Sequence, residues 1–141
     1  MDHVVYLDTK ARELEKLLAG GKSMIVRGAA GRKLPYGRVD TGDCLFFIQN
    51  NGDGMVRASG QVSSVFHSEK LTEDQCSQLL MMYQPKLALT PEQIERWAGK
   101  RYLVLVEVTN ILAAGPFSID RREYGNMDDW LIVEKIERVR K

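Results

Sequence analysis

Five cations, Lys22, Arg27, Arg32, Lys33 and Arg38, fall between Gly20 and Val39 with no carboxylate among them; the next acid is Asp40. The whole chain carries a formal charge of only +1, so this positive charge is local. A local field of one sign attracts an anionic partner. Lys22 offers a point charge and Arg27 a planar fork, both suited to phosphate or a base edge. If residues 23–27 are extended, Ser23, Ile25 and Arg27 share one side, and Lys22, Met24 and Val26 the other. Arg27 then has a second reading, in which it pairs with a carboxylate such as Asp43 and braces the fold. The segment 28–38, GAAGRKLPYGR, joins three glycines to Arg32, Lys33, Arg38 and Tyr36. Glycine backbone lets a loop approach a phosphate closely. The cations would give salt-sensitive affinity, and the Tyr36 ring could stack on a base. The bland alternative is a solvated loop whose tyrosine packs back on the protein.

Other chemistry is poorly represented. Gly21-Lys22-Ser23 imitates the end of a phosphate-binding P-loop, but Lys16 stands where the first glycine belongs and a helix precedes the motif. Cys44 and Cys76 are 32 positions apart and make no Cys-x-x-Cys pair, which fits free thiols in a reducing cytoplasm. His3 and His67 are isolated, so neither a metal nor another cofactor is expected. Asp128 and Asp129 are adjacent and would diverge on a strand. Tyr124 and Trp130 could line a base pocket, with core packing the plainer reading for Trp130. Met81-Met82-Tyr83 reads as a helix burying its apolar side. No run reaches the ~18 apolar residues of a membrane span, and Met1 to Lys10 lacks a signal-peptide pattern.

The elements that would position these groups follow from local signals. At 141 residues, with 44% hydrophobic and 28% charged content, one globular domain over 1–141 is expected. His3–Leu7 reads as a strand, and Asp8 and Thr9 as N-caps of a helix from Ala11 through Leu18, stopped by Gly20-Gly21. Ser23–Arg27 is a short strand and Gly28–Val39 a loop. Cys44–Gln49 and Met55–Phe66 form a hairpin about Asn50–Gly54, with Val56, Ala58, Gly60, Val62, Ser64 and Phe66 on one face. Thr72 with Gln75 and Thr90 with Gln93 are capping boxes that open two helices. The first would end near Tyr83, before Gln84-Pro85; the second begins with Pro91 and ends at Gly99. Tyr102–Val108 is the most apolar strand and reads as central. Gly115-Pro116 reads as a turn, 121–129 as a loop and Trp130–Val139 as the last strand. Five or six strands with three helices, irregularly ordered, predict a mainly β, α+β protein built on a small mixed barrel.

These elements and their order resemble the ASCH family of the PUA-like superfamily. The family motif is G-x-K-x-x-E-x-R. Here Gly20, Lys22 and Arg27 are in register, and Ile25 stands at the glutamate position. Thr41-Gly42-Asp43 resembles the family's turn into its barrel hairpin, and Leu71-Thr72-Glu73 the opening of its next helix. The likeness runs from about His3 to Val108. It implies a PUA-like barrel with a cleft beside the first helix, and an RNA-binding role. Some members resemble small nucleases, or amidohydrolases of modified nucleosides, with a Lys, Thr and Glu arrangement. In this chain Ile25 falls at the Thr position and Leu79 near the Glu position. Neither side chain supplies a nucleophile or a base.

The expected function is therefore an RNA- or nucleotide-binding module using Lys22, Ser23, Arg27, Arg32, Lys33, Tyr36 and Arg38. Its partner would be RNA or a nucleotide-like small molecule, with no membrane involved. Two alternatives stand beside it. One is a small hydrolase centred on Lys22 with a carboxylate within reach, whether Glu73, Asp74 or another. The other is an interaction domain whose basic loop meets an acidic protein.

Overall fold

The computed structural model describes residues 1–125 and 127–141. In chain order the elements are β1 (Asp2–Leu7), α1 (Glu13–Ala19), β2 (Met24–Ala29), β3 (Cys44–Gln49), β4 (Met55–His67), α2 (Glu73–Leu87), α3 (Pro91–Trp97), β5 (Tyr102–Ser118), β6 (Trp130–Glu134) and a 3-10 turn, Ile136–Arg138. The strands make one mixed sheet in the order β2-β5-β4-β3-β1-β6. β1 and β3 run parallel, and every other neighbouring pair is antiparallel. The sheet curls into a half-barrel, giving a mainly β, α+β fold.

The two faces of the sheet bury different residues, as strand alternation requires. Ile25, Val104, Val106 and Val108 face the barrel interior with Val5, Leu7, Phe47 and Trp130. Met24, Val26, Leu103 and Leu105 face outward and are covered by Cys76, Leu80 and Leu87 of α2. Burial on both faces explains why 102–106 reads as an unbroken apolar run. Val4, Ile48, Val56, Leu131 and Val133 pack under Ile136 and Val139 at the other end of the sheet.

Several boundaries differ from the sequence reading. α1 starts at Glu13, after Arg12 in the left-handed region at φ 57°, so neither Asp8 nor Thr9 is its N-cap. The Asp8 carboxylate instead accepts from the Ala11 amide, and Thr9 bonds to the Asn50 side chain. α2 continues through Pro85 to Leu87; buried Leu87 anchors the last turn, and the Gln84 side chain bonds both backbone groups of Leu89. Strand β5 runs through Gly115-Pro116. Three residues there oppose one on β4 between the Ala58–Ala113 and Val56–Phe117 pairs, a bulge that absorbs a residue with no N–H. β5 lies second in the sheet, not at its centre. On β4 the expected single face holds through Val62, after which a register shift leaves Ser64 and Phe66 exposed. The last strand stops at Glu134, where φ is 67°. Val133, Ile136 and Val139 then bury at a spacing of three, which suits a helical turn rather than a strand. Of the loop expected over 121–129, Asn126 lies outside the described residues. Both capping boxes form as expected.

Candidate functional site

The half-barrel leaves a seam between its edge strands β2 and β6, and Arg27 spans it. One guanidinium nitrogen donates to its neighbour's carbonyl, Val26 O, at 2.9 Å, and another donates to Tyr6 O at 2.6 Å. Its Nε lies 3.1 Å from Oδ2 of Asp129, the residue before β6. That N–H is not aimed at the carboxylate, and the buried atom has no hydrogen-bond partner among the described residues. The cation also sits 5.7 Å from the Trp130 ring centre. The expected partner, Asp43, is engaged elsewhere. It accepts from His3 Nε2 at 2.8 Å and from the Asp40 amide at 2.9 Å.

A cleft of about 230 Å³ opens along this seam. Arg27, Gly28 and Ala29 of β2 line it, with Lys33, Leu34 and Tyr36 of the following loop. Trp97 at the end of α3 and Tyr102 and Val104 of β5 complete the wall, with Met127 and Asp129. A narrower space of about 70 Å³ shares Arg27, Trp97 and Asp129 and reaches Asp8, Glu13 and Arg96. Arg96 and Asp8 pair there at 3.1 Å.

The loop is held against the protein rather than free. Tyr36 donates its hydroxyl to Ser68 O at 2.5 Å and meets the Tyr102 ring edge-on at 5.7 Å. His67 accepts from the Gly37 amide through Nδ1 at 3.1 Å. Arg32 lies over both Tyr36 and Tyr102, at 5.7 and 5.5 Å from their ring centres. Arg32, Lys33 and Arg38 are exposed and form no ion pair among the described residues.

Lys22 sits apart from these groups. Its side chain is 0% exposed, with Nζ 3.1 Å from Glu13 Oε2, and it donates to Leu87 O at 2.5 Å. Burial pulls the ammonium below its ordinary range, and Glu13 partly offsets that. For Glu13, burial acts to raise the carboxyl, but Lys22, Arg27 and the Asp8 amide together hold it below the usual value. A carboxylate within reach of Lys22, the geometry a Lys-centred hydrolase would need, is therefore present as Glu13. Glu13, not Lys22, faces the narrow space. Ser23 is tied through its backbone to Lys86 and Val108 and lines neither space. Ile25 is fully buried in the barrel, Leu79 is a partly buried residue of α2 packed against the cluster beneath that helix, and Glu73 and Asp74 are exposed on its first turn.

The structure thus gathers Arg27, Lys33 and Tyr36 around one cleft, sets Arg32 across its aromatic rim, leaves Arg38 on the outer loop and removes Lys22 and Ser23. Glu13, Trp97, Tyr102 and Asp129 join the site unannounced by the motif. Glu13 did carry a signal, since it stands four residues before buried Leu17, on the same helix face.

No family model matches this sequence, and no curated protein matches it. Among solved structures, a point variant of the ASCH protein ZmASCH from Zymomonas mobilis superposes with a TM-score of 0.71 at 13% identity, over 96% of this chain and 92% of that one. The unsubstituted protein from Zymomonas mobilis gives 0.67 at 13% identity, over 97% and 92%. Similarity this extensive at such low identity lies in the backbone, and this chain has an ASCH-like fold.

Proposed function

We propose that this chain binds RNA or a nucleotide-like molecule in the cleft along the β2–β6 seam. The observation that carries the reading is the meeting of aromatic rings and unpaired cations at its mouth. Tyr36, Tyr102 and Trp97 offer rings, and Arg32 and Lys33 are cations without acidic partners among the described residues. Bases stack on aromatic and guanidinium planes, and phosphates meet flexible cations. Arg32, Lys33 and Arg38 would hold phosphate. Lys22 would act as a brace beneath the site rather than as a group that touches the ligand. The likeness to ASCH folds supports the same class of ligand.

The test is fluorescence anisotropy with a labelled single-stranded RNA pool over a range of salt. Affinity should fall with salt. An Arg32→Ala/Lys33→Ala variant should lower the slope of log K against log salt by about 0.7 for each phosphate it no longer neutralises. Absence of binding, or a slope the variant leaves unchanged, would overturn this reading. Shortening of the probe on a gel would instead reveal turnover.

A further inference from the structure

The groove has two chemically unlike ends. Lys33 lies at the outer end, and the narrow inner end carries the carboxylates Asp8, Glu13 and Asp129 beside the cations Arg27 and Arg96. The inner end therefore offers acceptors that the outer end lacks. A ligand with an anionic end and a hydrogen-bond-donating end suits both.

Two of the three carboxylates are already committed. Glu13 holds Lys22 and the Asp8 amide, and Asp8 holds Arg96 and the Ala11 amide. Asp129 is different. Its side chain is 57% exposed, and its one ion-pair contact among the described residues is Arg27. That contact is incomplete, because the Nε–H of Arg27, in a side chain only 10% exposed, is left without a hydrogen-bond partner. The backbone beneath Asp129 is fixed. Its carbonyl accepts from the Tyr6 amide at 2.9 Å, and the next residue, Trp130, donates its indole N–H to His3 at 3.0 Å. Arg121 donates to the carbonyls of Gly125 and Asp128. An acceptor with spare capacity is thus presented on a rigid base to both halves of the groove.

We propose that Asp129 reads the base of the bound nucleotide and selects guanine; this rests on the nucleotide-binding function proposed above. A carboxylate accepts hydrogen bonds and donates none, through two parallel oxygens. Guanine presents N1–H and the 2-amino group side by side, matching both oxygens. Adenine and cytosine each set one amino group beside a ring acceptor, and uracil flanks its single N–H with two carbonyls. Those acceptors would face the carboxylate and be disfavoured. The phosphate then lies toward Lys33, with the base between the aromatic walls.

Calorimetric titration at fixed low salt with the 5′-monophosphates of guanosine, adenosine, cytidine, uridine and inosine tests this. The guanosine compound should bind at least about tenfold tighter than the other standard nucleotides, as loss of a hydrogen bond to a charged group implies. Inosine monophosphate, which lacks the 2-amino group, should bind about tenfold more weakly than the guanosine compound. Asp129→Asn should erase the preference by weakening the guanosine compound while not weakening the adenosine and cytidine compounds, whose amino group and ring acceptor a side-chain amide can match, whereas Lys33→Ala should weaken all five alike. Equal binding of guanosine and adenosine nucleotides, or a preference that survives Asp129→Asn, would overturn the role of Asp129 while leaving nucleotide binding standing. If the wild type binds none of the five, this inference falls, and the RNA titration above decides the proposed function separately.

Discussion

Lys22 keeps its charge inside the protein because Glu13 keeps the opposite one beside it. Neither group is stable there alone, since a lone buried charge costs several kcal/mol. Lys22→Met should therefore destabilise the fold by about 3–5 kcal/mol, and Glu13→Gln by a similar amount. The double variant Glu13→Gln/Lys22→Met should recover most of the loss, because it leaves no unpaired charge. Urea unfolding of the three variants measures this, and additive losses in the double variant would show that the two side chains do not act as a pair. The spacing of Gly20, Lys22 and Arg27 was legible in the sequence, but the fate of Lys22 was not. Its partner lies nine positions earlier, and only the turn from α1 into β2 brings the two together. Asp129 was passed over for a sound reason that proved incomplete. Adjacent carboxylates do diverge, yet one of them alone can face Arg27 across the seam.

At the level of elements, β2 reaches the cleft through a position that tolerates little. Gly28 pairs with Leu103 on β5, where a Cβ would stand 2.7 Å from Leu103 Cδ2 and 3.2 Å from the Tyr102 carbonyl. Leu103 is fully buried under α2 and Tyr102 forms the cleft wall, so neither yields cheaply. Gly28→Ala should cost about 1–3 kcal/mol by overpacking. It should also weaken ligand binding by shifting Tyr102. A thermal melt read beside the anisotropy titration checks both, and unchanged values in the two would show that β2 and β5 can spread there. Elements with strong local chemistry were legible, above all the two capping boxes at Thr72 and Thr90. Breakers misled where tertiary packing overrides them. Pro85 sits inside α2 because Leu87 is buried beyond it, and Pro116 sits inside β5 because a bulge takes it up. The final segment carried its answer in the three-residue spacing of Val133, Ile136 and Val139.

Across the whole molecule, acid sensitivity follows from a network that ties three neighbouring strands drawn from distant parts of the chain. His3 on β1 donates through Nε2 to Asp43, just before β3, and accepts through Nδ1 from Trp130 on β6. The ring must be neutral to accept, and burial holds it below its ordinary value of 6.5 in spite of Asp43. As pH falls below that value the unfolded chain takes up the proton first, so the folded state loses stability. Glu13 and Asp43 act in the same direction at lower pH. Burial opposes their charge, but it is outweighed by Lys22 and Arg27 at Glu13, and by the Asp40 amide and His3 at Asp43. Both carboxyls are held below their ordinary values of 4.5 and 3.8, so the unfolded chain again protonates first. Stability should be greatest above the histidine range and fall in two stages on acidification. Urea midpoints from about pH 7.5 to about 5.5 should show the first stage, and midpoints below about pH 4.5 the second. His3→Gln removes the titrating ring, so its midpoints should be flat through the first stage and fall only in the second. A wild-type midpoint that holds steady down to the carboxylate range would mean that the His3 ring is not kept neutral between Asp43 and Trp130.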